Sequence, residues 1–123
     1  METQPKSESI VAGKAYKFAL SIIKLYKKLV EEKEFVLSKQ ILRSGTSIGA
    51  NVNEAVSAQS KRDFVHKLGI VLKELRESLN CLKILAGSKY ISADNAAIKE
   101  CNELVSIFVK SVETNKKKLD SIH

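Results

Sequence analysis

SKQILRSGTSIGANVNEAVSA, running from Ser38 to Ala58, is the stretch on which the reading of this chain turns. Apolar or tiny residues recur at Ile41, Gly45, Ile48, Val52 and Val56, which is helical spacing. The residues between them are unusual for a helix. Ser44, Thr46, Ser47, Ala50 and Ser57 are small, and no charge occurs from Ser44 to Asn53. A surface helix normally carries Lys and Glu on its outer face, so this pattern predicts a helix covered on more than one side. Gly45 and Gly49 sharpen the point. Each glycine in a helix interior costs about 1 kcal/mol relative to alanine, yet these two share a face and let a second backbone come close. In a membrane the same spacing would suggest helix dimerisation. Here Arg43 and Glu54 bracket a run far shorter than the roughly 20 apolar residues that span a bilayer. Tight packing within a bundle and contact with a second copy of the chain both fit, and they are compatible.

The flanking sequence supplies the rest of a bundle. Upstream, Val11, Ala15, Phe18, Ile22, Leu25 and Leu29 form one apolar stripe, predicting a helix over about 9–32 after a loose polar segment at 1–8. Phe35, Val36 and Leu37 are apolar enough to seal the end of the bundle, and Ser38 is the expected N-cap of the central helix at about 38–58. Downstream, Ser60-Lys61-Arg62-Asp63 matches the Ser-x-x-acid start signal. The stripe Phe64, Leu68, Val71, Leu75, Ser78, Leu82 and Leu85 then predicts a helix over about 61–86, with Gly87 as its stop. Ser92 is the expected cap of a fourth helix at about 93–118, whose stripe is Ile98, Cys101, Val105, Phe108 and Val112. Four long helices joined by short turns predict one all-α domain at 9–119, an up-down-up-down antiparallel four-helix bundle. Six per cent aromatic residues and no Trp fit long helices better than a β sandwich.

Charge points to a partner. The chain carries a formal net charge of +7, which suits a polyanion such as RNA or DNA. The densest feature lies on the first helix, where Lys14, Lys17, Lys24 and Lys28 fall within about 80° of one another, with Lys27 beside them. No acid occurs between Glu8 and Glu31 to neutralise the row from four positions away. Lys61 and Arg62 are further candidates for phosphate contact. Only Tyr16 and Tyr26 interleave the lysines, so little base-specific readout is expected. A solvated, merely solubilising face is the competing interpretation. An amphipathic membrane-surface helix is disfavoured, because the apolar stripe of the first helix is needed for the core.

A search for chemistry finds little. His66 and His123 are isolated, and no Cys or His cluster has metal-ligand spacing. No Glu-x-x-His pair or Gly-rich phosphate loop occurs. Neither enzyme activity, metal nor cofactor is expected. Arg43 and Glu54 stand eleven positions apart, too far to share a site, and each is expected to pair with a charge on a neighbouring helix or subunit. Cys81 and Cys101 read as small core residues in a reducing cytosol, with a disulfide between them left open. Met1-Glu2-Thr3-Gln4-Pro5 does not resemble a signal peptide, so a cytoplasmic location is expected.

Three blocks carry a resemblance. Gln40-Ile41-Leu42-Arg43-Ser44-Gly45-Thr46-Ser47-Ile48-Gly49-Ala50-Asn51-Val52 with Glu54-Ala55, then Ser60-Lys61-Arg62-Asp63-Phe64, then Leu72-Lys73-Glu74-Leu75-Arg76-Glu77, resemble the four-helix-bundle proteins encoded in intervening sequences of bacterial 23S ribosomal RNA genes. Where relatives tend to carry an aromatic pair late in the third helix, this chain has Asn80 and Cys81. The resemblance implies an up-down bundle assembling as a homo-oligomeric ring, a pentamer, with no established reaction. It also implies a distant similarity to the accessory factor of diversity-generating retroelements, a basic pentameric barrel that binds nucleic acid and a reverse transcriptase. Arg43, Ser44, Gly45, Ser47, Ile48, Gly49, Asn51 and Glu54 are then the expected packing and assembly motif. A scaffold that docks a partner protein, with no nucleic-acid role, is the alternative function.

Overall fold

Apolar side chains three and four positions apart cannot leave water unless each helix lays its stripe against others, and the observed architecture follows from that. The computed structural model describes residues 6–122, with side chains described from 10 to 121. It contains α1 (Lys6–Glu31), α2 (Leu37–Val56), α3 (Lys61–Gly87) and α4 (Ala96–Ile122), with no strand among the described residues. Of the N-terminal segment expected at 1–8, positions 1–5 lie outside the described residues, and α1 already begins at Lys6.

Each helix packs on its chain neighbours, and α4 closes onto α1. Paired residues run in opposite directions. Along α2 and α3 they are Arg43 with Glu77, Ser47 with Glu74, and Glu54 with Lys67. Between α1 and α4 they are Lys14 with Glu103 and Ser21 with Glu100. Between α3 and α4 they are Lys61 with Asn115 and Leu75 with Cys101. These neighbouring helices are therefore antiparallel.

The core holds the predicted stripes. Phe18, Ile22 and Leu29 of α1 meet Ile41 and Ile48 of α2, Leu75, Leu82 and Leu85 of α3, and Leu104 and Phe108 of α4, all of them buried. Each fully buried large apolar side chain contributes about 1.5–3 kcal/mol relative to exposure. Cys81 and Cys101 are buried free thiols, donating to the carbonyls of Leu37 (3.6 Å) and Leu75 (3.4 Å). Burial raises both thiols, that of Cys101 to about 12, so neither is a ready nucleophile. Cys81 fills the interior, whereas Asn80 beside it is exposed.

Helix ends depart from expectation more than helix bodies do. Ser60 caps α3 as predicted, its hydroxyl accepting the Asp63 N–H at 3.0 Å. Ser38, by contrast, is no cap. It lies inside α2 and is fully buried with its hydroxyl unpaired, while Glu34 Oε1 accepts the Ser38 N–H at 2.7 Å. A longer carboxylate four residues back reaches the helix end that Ser38 was expected to cap. At α4 the cap is Asn95, whose side chain accepts the Ala97 N–H at 2.9 Å; Ser92 instead donates to Asp94. Gly87 does not provide the left-handed turn after α3. Lys89 does, at φ 67°, with Tyr90 N–H bonded to the Leu85 carbonyl and Lys89 N–H to that of Ala86. Lys33 closes α1 in the same way at φ 63°. Phe35 and Val36 do not seal the bundle: they are 54% and 77% exposed, and only Leu37 of that trio turns inward.

Candidate nucleic-acid interface

Helix α2, free of charge from Ser44 to Asn53, is the organising element, and its two sides do different jobs. Toward α1, Gly45 sits so close to Ile22 that an added Cβ would lie 2.8 Å from Ile22 Cγ1. Gly45 is thus the glycine that permits close packing. Gly49 has nothing within 4 Å of such a Cβ and faces open space. Toward α3, Ser44 accepts a hydrogen bond from Ser78 (2.8 Å) in the buried seam, and Ser47 donates to Glu74 (3.2 Å). Arg43 spans two carboxylates, Glu77 at 2.8 Å and Glu74 at 3.3 Å. The hydrogen bond from Arg43 to Glu77, with the charge of Glu74 beside it, raises Arg43 above the ordinary guanidinium value. Glu54 pairs with Lys67 at 3.3 Å. The expected pairing of Arg43 and Glu54 with a neighbouring helix is therefore what the geometry shows. Ile48 is buried, and Asn51 is half-buried beside this seam.

The α1 lysines lie along the seam with α4, and that seam divides them. Lys14 is taken up by Glu103, whose carboxyl it holds below the usual range by hydrogen bond and charge. Lys17 shares a cleft of about 330 Å³ with Glu100 and Glu103. Neutralisation of Lys14 thus comes across the seam, from an acid 89 residues away in sequence, and not from within α1. Lys24 and Lys28 have different company. They line a depression of about 310 Å³ with Ser21, Asn95 and the first residues of α4, where the positive end of the α4 dipole adds to their charge. Lys27 points to the outer side of α1, about 100° from the middle of that row.

Lys61 and Arg62 are not brought to this surface. Lys61 lies at the opposite end of the bundle, donating to Asn115 and sitting 5.3 Å from the Phe64 ring centroid. Its neighbour there is Val11, which stands about 20 Å along α1 from Lys24. No group of acidic, His or Cys side chains that could hold a metal occurs among the described residues. No helix there is long and apolar enough to cross a membrane.

Sequence reasoning named Glu74, Glu77 and Ser78 on the third helix but did not foresee them as the partners of the central motif. Beyond Lys61 and Arg62 at its start, it also passed over the cations on α3, because Glu74 and Glu77 interleave them. The available signal was angular: the motif side of α3 and its cationic side are different faces of one helix.

This geometry can be set beside known proteins. The family model described as 23S rRNA-intervening sequence protein matches residues 7–110. The chain belongs to that family. Arg43 to Ser47, within the first of the three blocks that carry the resemblance, contacts α1 through Gly45 and α3 through Arg43, Ser44 and Ser47. A solved structure of a protein of unknown function from the S23 ribosomal protein family of Bacteroides thetaiotaomicron VPI-5482 is 46% identical. It superposes with a TM-score of 0.80, covering 83% of this chain and 97% of that one. No curated protein matches the sequence.

Proposed function

We propose that this member of the 23S rRNA-intervening sequence family is a non-enzymatic, self-assembling bundle that binds RNA or DNA through phosphate contacts. The observation that carries the reading is the convergence of Lys24 and Lys28 with the N-terminal end of α4 in one depression. Two cations and the positive end of a helix dipole at one place form a phosphate-binding environment. Lys17, exposed on the same row, extends it along α1, whereas Lys27 lies on the outer side of the helix in line with Tyr16, Leu20 and Ile23. Lys14 contributes least, since Glu103 already holds it.

Self-assembly is supported by a face the chain leaves uncovered. Tyr16, Leu20 and Ile23, four and three apart on α1, are 65%, 49% and 37% exposed. Next to them α2 presents Thr46, Gly49 and Ala50, none of them charged and none fully buried. A second copy covering this face would hide the apolar row and explain the absence of charge from Ser44 to Asn53. The family resemblance suggests a pentameric ring, in which modest cationic surfaces multiply by avidity.

Titration of a duplex at low salt, repeated with Lys24→Glu/Lys28→Glu, tests the reading. Binding by the wild type that weakens at least tenfold in the variant is expected; absence of binding by the wild type refutes it. A mass in solution equal to one chain at high concentration refutes the assembly. The alternative, a scaffold for a partner protein, is favoured by the exposed Phe35 and Val36 at one end of the bundle. Retention of a protein partner by a lysine-reversed variant that no longer binds nucleic acid would decide for it.

A further inference from the structure

On α3, Lys73, Glu74, Arg76 and Glu77 alternate in sign along the sequence, and the pattern reads as a solvated surface. The fold sorts these charges. Glu74 and Glu77 turn toward α2, where Arg43 and Ser47 take them up. The cations stand on the solvent side of the helix, with Glu77 at the edge between the two sets. Arg62, Lys73, Arg76 and Lys83 fall within about 80° of one another around the helix axis. All four are exposed, and none lies within ion-pair distance of a carboxylate among the described residues. Lys73 and Arg76 line a groove of about 560 Å³ between α3 and α4, with Glu77, whose charge Arg43 already takes up, at its edge and Val112 and Lys116 on its far side.

We propose that this α3–α4 groove is a track for the phosphate backbone of a nucleic-acid duplex, carried by Arg62, Lys73, Arg76, Lys83 and Lys116. The proposal rests on the nucleic-acid reading above and assigns it a second surface. From Arg62 to Lys83 the row runs about 30 Å, since a helix rises 1.5 Å per residue. That is roughly nine base-pair steps of 3.4 Å. A straight cationic row suits a stiff duplex. A single strand would call for exposed aromatic rings to stack its bases, and no residue lining this groove is aromatic. The exposed aromatics Tyr16 and Phe35 lie instead on α1 and on the α1–α2 turn. The groove also lies on the opposite side of the bundle from the uncovered face of α1 and α2. A copy docked on that face would leave the cations open to solvent. Anionic lipid is the lesser fit, because Ile84 is the one large apolar side chain exposed on α3 or α4 among the described residues, too little to anchor a bilayer.

The test uses the full chain and a DNA duplex of about 20 base pairs, with a matching RNA duplex alongside, over a range of salt. Lys73→Gln/Arg76→Gln removes both charges and keeps helix propensity, and Lys73→Glu/Arg76→Glu reverses them. Circular dichroism and sedimentation identify variants that stay folded and assembled, and the Gln pair serves if the Glu pair does not. Expected for the Gln pair is at least a tenfold weakening of affinity at low salt. The slope of log affinity against log salt should shrink by about 1.8, at 0.9 for each phosphate no longer neutralised. The Glu pair should bind more weakly still. Wild-type affinity and slope in the Gln pair, with binding abolished in Lys24→Glu/Lys28→Glu, would overturn the groove and leave the α1 surface standing. Failure of the wild type to bind either duplex would overturn both. Tighter binding to phosphatidylglycerol vesicles than to duplex, abolished by Lys73→Gln/Arg76→Gln, would overturn the choice of nucleic acid.

Discussion

Gly45 and Gly49 differ by one helical turn and should respond oppositely to the same methyl group. Alanine at either position gains helix propensity of about 1 kcal/mol. At Gly49 nothing lies within 4 Å of the new Cβ, so the gain is realised and Gly49→Ala should be stabilised by about 1 kcal/mol. At Gly45 the new Cβ meets three atoms of Ile22, at 2.8, 3.0 and 3.2 Å. Ile22 is fully buried and β-branched, and one χ1 well dominates for such a residue in a helix, so its methyl groups cannot swing away. Overpacking of this kind costs about 1–3 kcal/mol, leaving Gly45→Ala destabilised by about 1 kcal/mol net. The two variants should differ by roughly 2 kcal/mol, or about 1 M in urea midpoint for an m-value near 2 kcal/mol/M. The assay is urea unfolding followed by far-UV circular dichroism, at a concentration where both variants sediment alike. A double-mutant cycle localises the cause: in an Ile22→Ala background, two of the three close atoms are gone and Gly45→Ala should turn from harmful to neutral or better. If Gly45→Ala stabilises as much as Gly49→Ala, the close approach of α1 and α2 at this point is wrong.

Other substitutions probe the helix ends and the buried polar groups. Ser38→Ala removes a buried hydroxyl that has no partner and should be neutral or stabilising by up to about 1 kcal/mol in urea unfolding. Ser44→Ala, which leaves the buried Ser78 hydroxyl without its acceptor, should cost about 1 kcal/mol in the same assay. Lys33→Gly and Lys89→Gly relieve side chains held at φ 63° and 67°, and each should raise stability by about 1 kcal/mol. Cys101 is held neutral to about pH 12 in the fold against an ordinary thiol value of 9.0, so the native state keeps a proton that the unfolded chain gives up. Its stabilising contribution is complete below pH 9 and falls as pH rises from there toward 12, by about 1.4 kcal/mol per unit. Comparing the pH dependence of stability with that of Cys101→Ala checks this, since the variant should lack that part of the alkaline loss.

What the amino-acid sequence by itself determined is the set of helices and the stripes they bury. Spacings of three and four place Phe18, Ile22 and Leu29, or Leu75, Leu82 and Leu85, on one face whatever the partner is, because helical periodicity is a local property. The Ser60 cap was legible for the same reason: donor and acceptor lie three residues apart. Even the pairing of Arg43 and Glu54 with a neighbouring helix could be foreseen, since a lone charge on an uncharged helix needs a partner. The identity of each partner was decided only in three dimensions. Which carboxylate meets Lys14, whether Glu34 or Ser38 serves the start of α2, and which glycine touches Ile22 depend on how helices distant in sequence settle against one another. The sorting of charge on α3 belongs here as well. Glu74 and Lys73 are adjacent in sequence, yet about 100° apart on the helix, and only the position of α2 tells which of them is neutralised. Electrostatic character is a sum over neighbours in space, and those neighbours come from the tertiary fold.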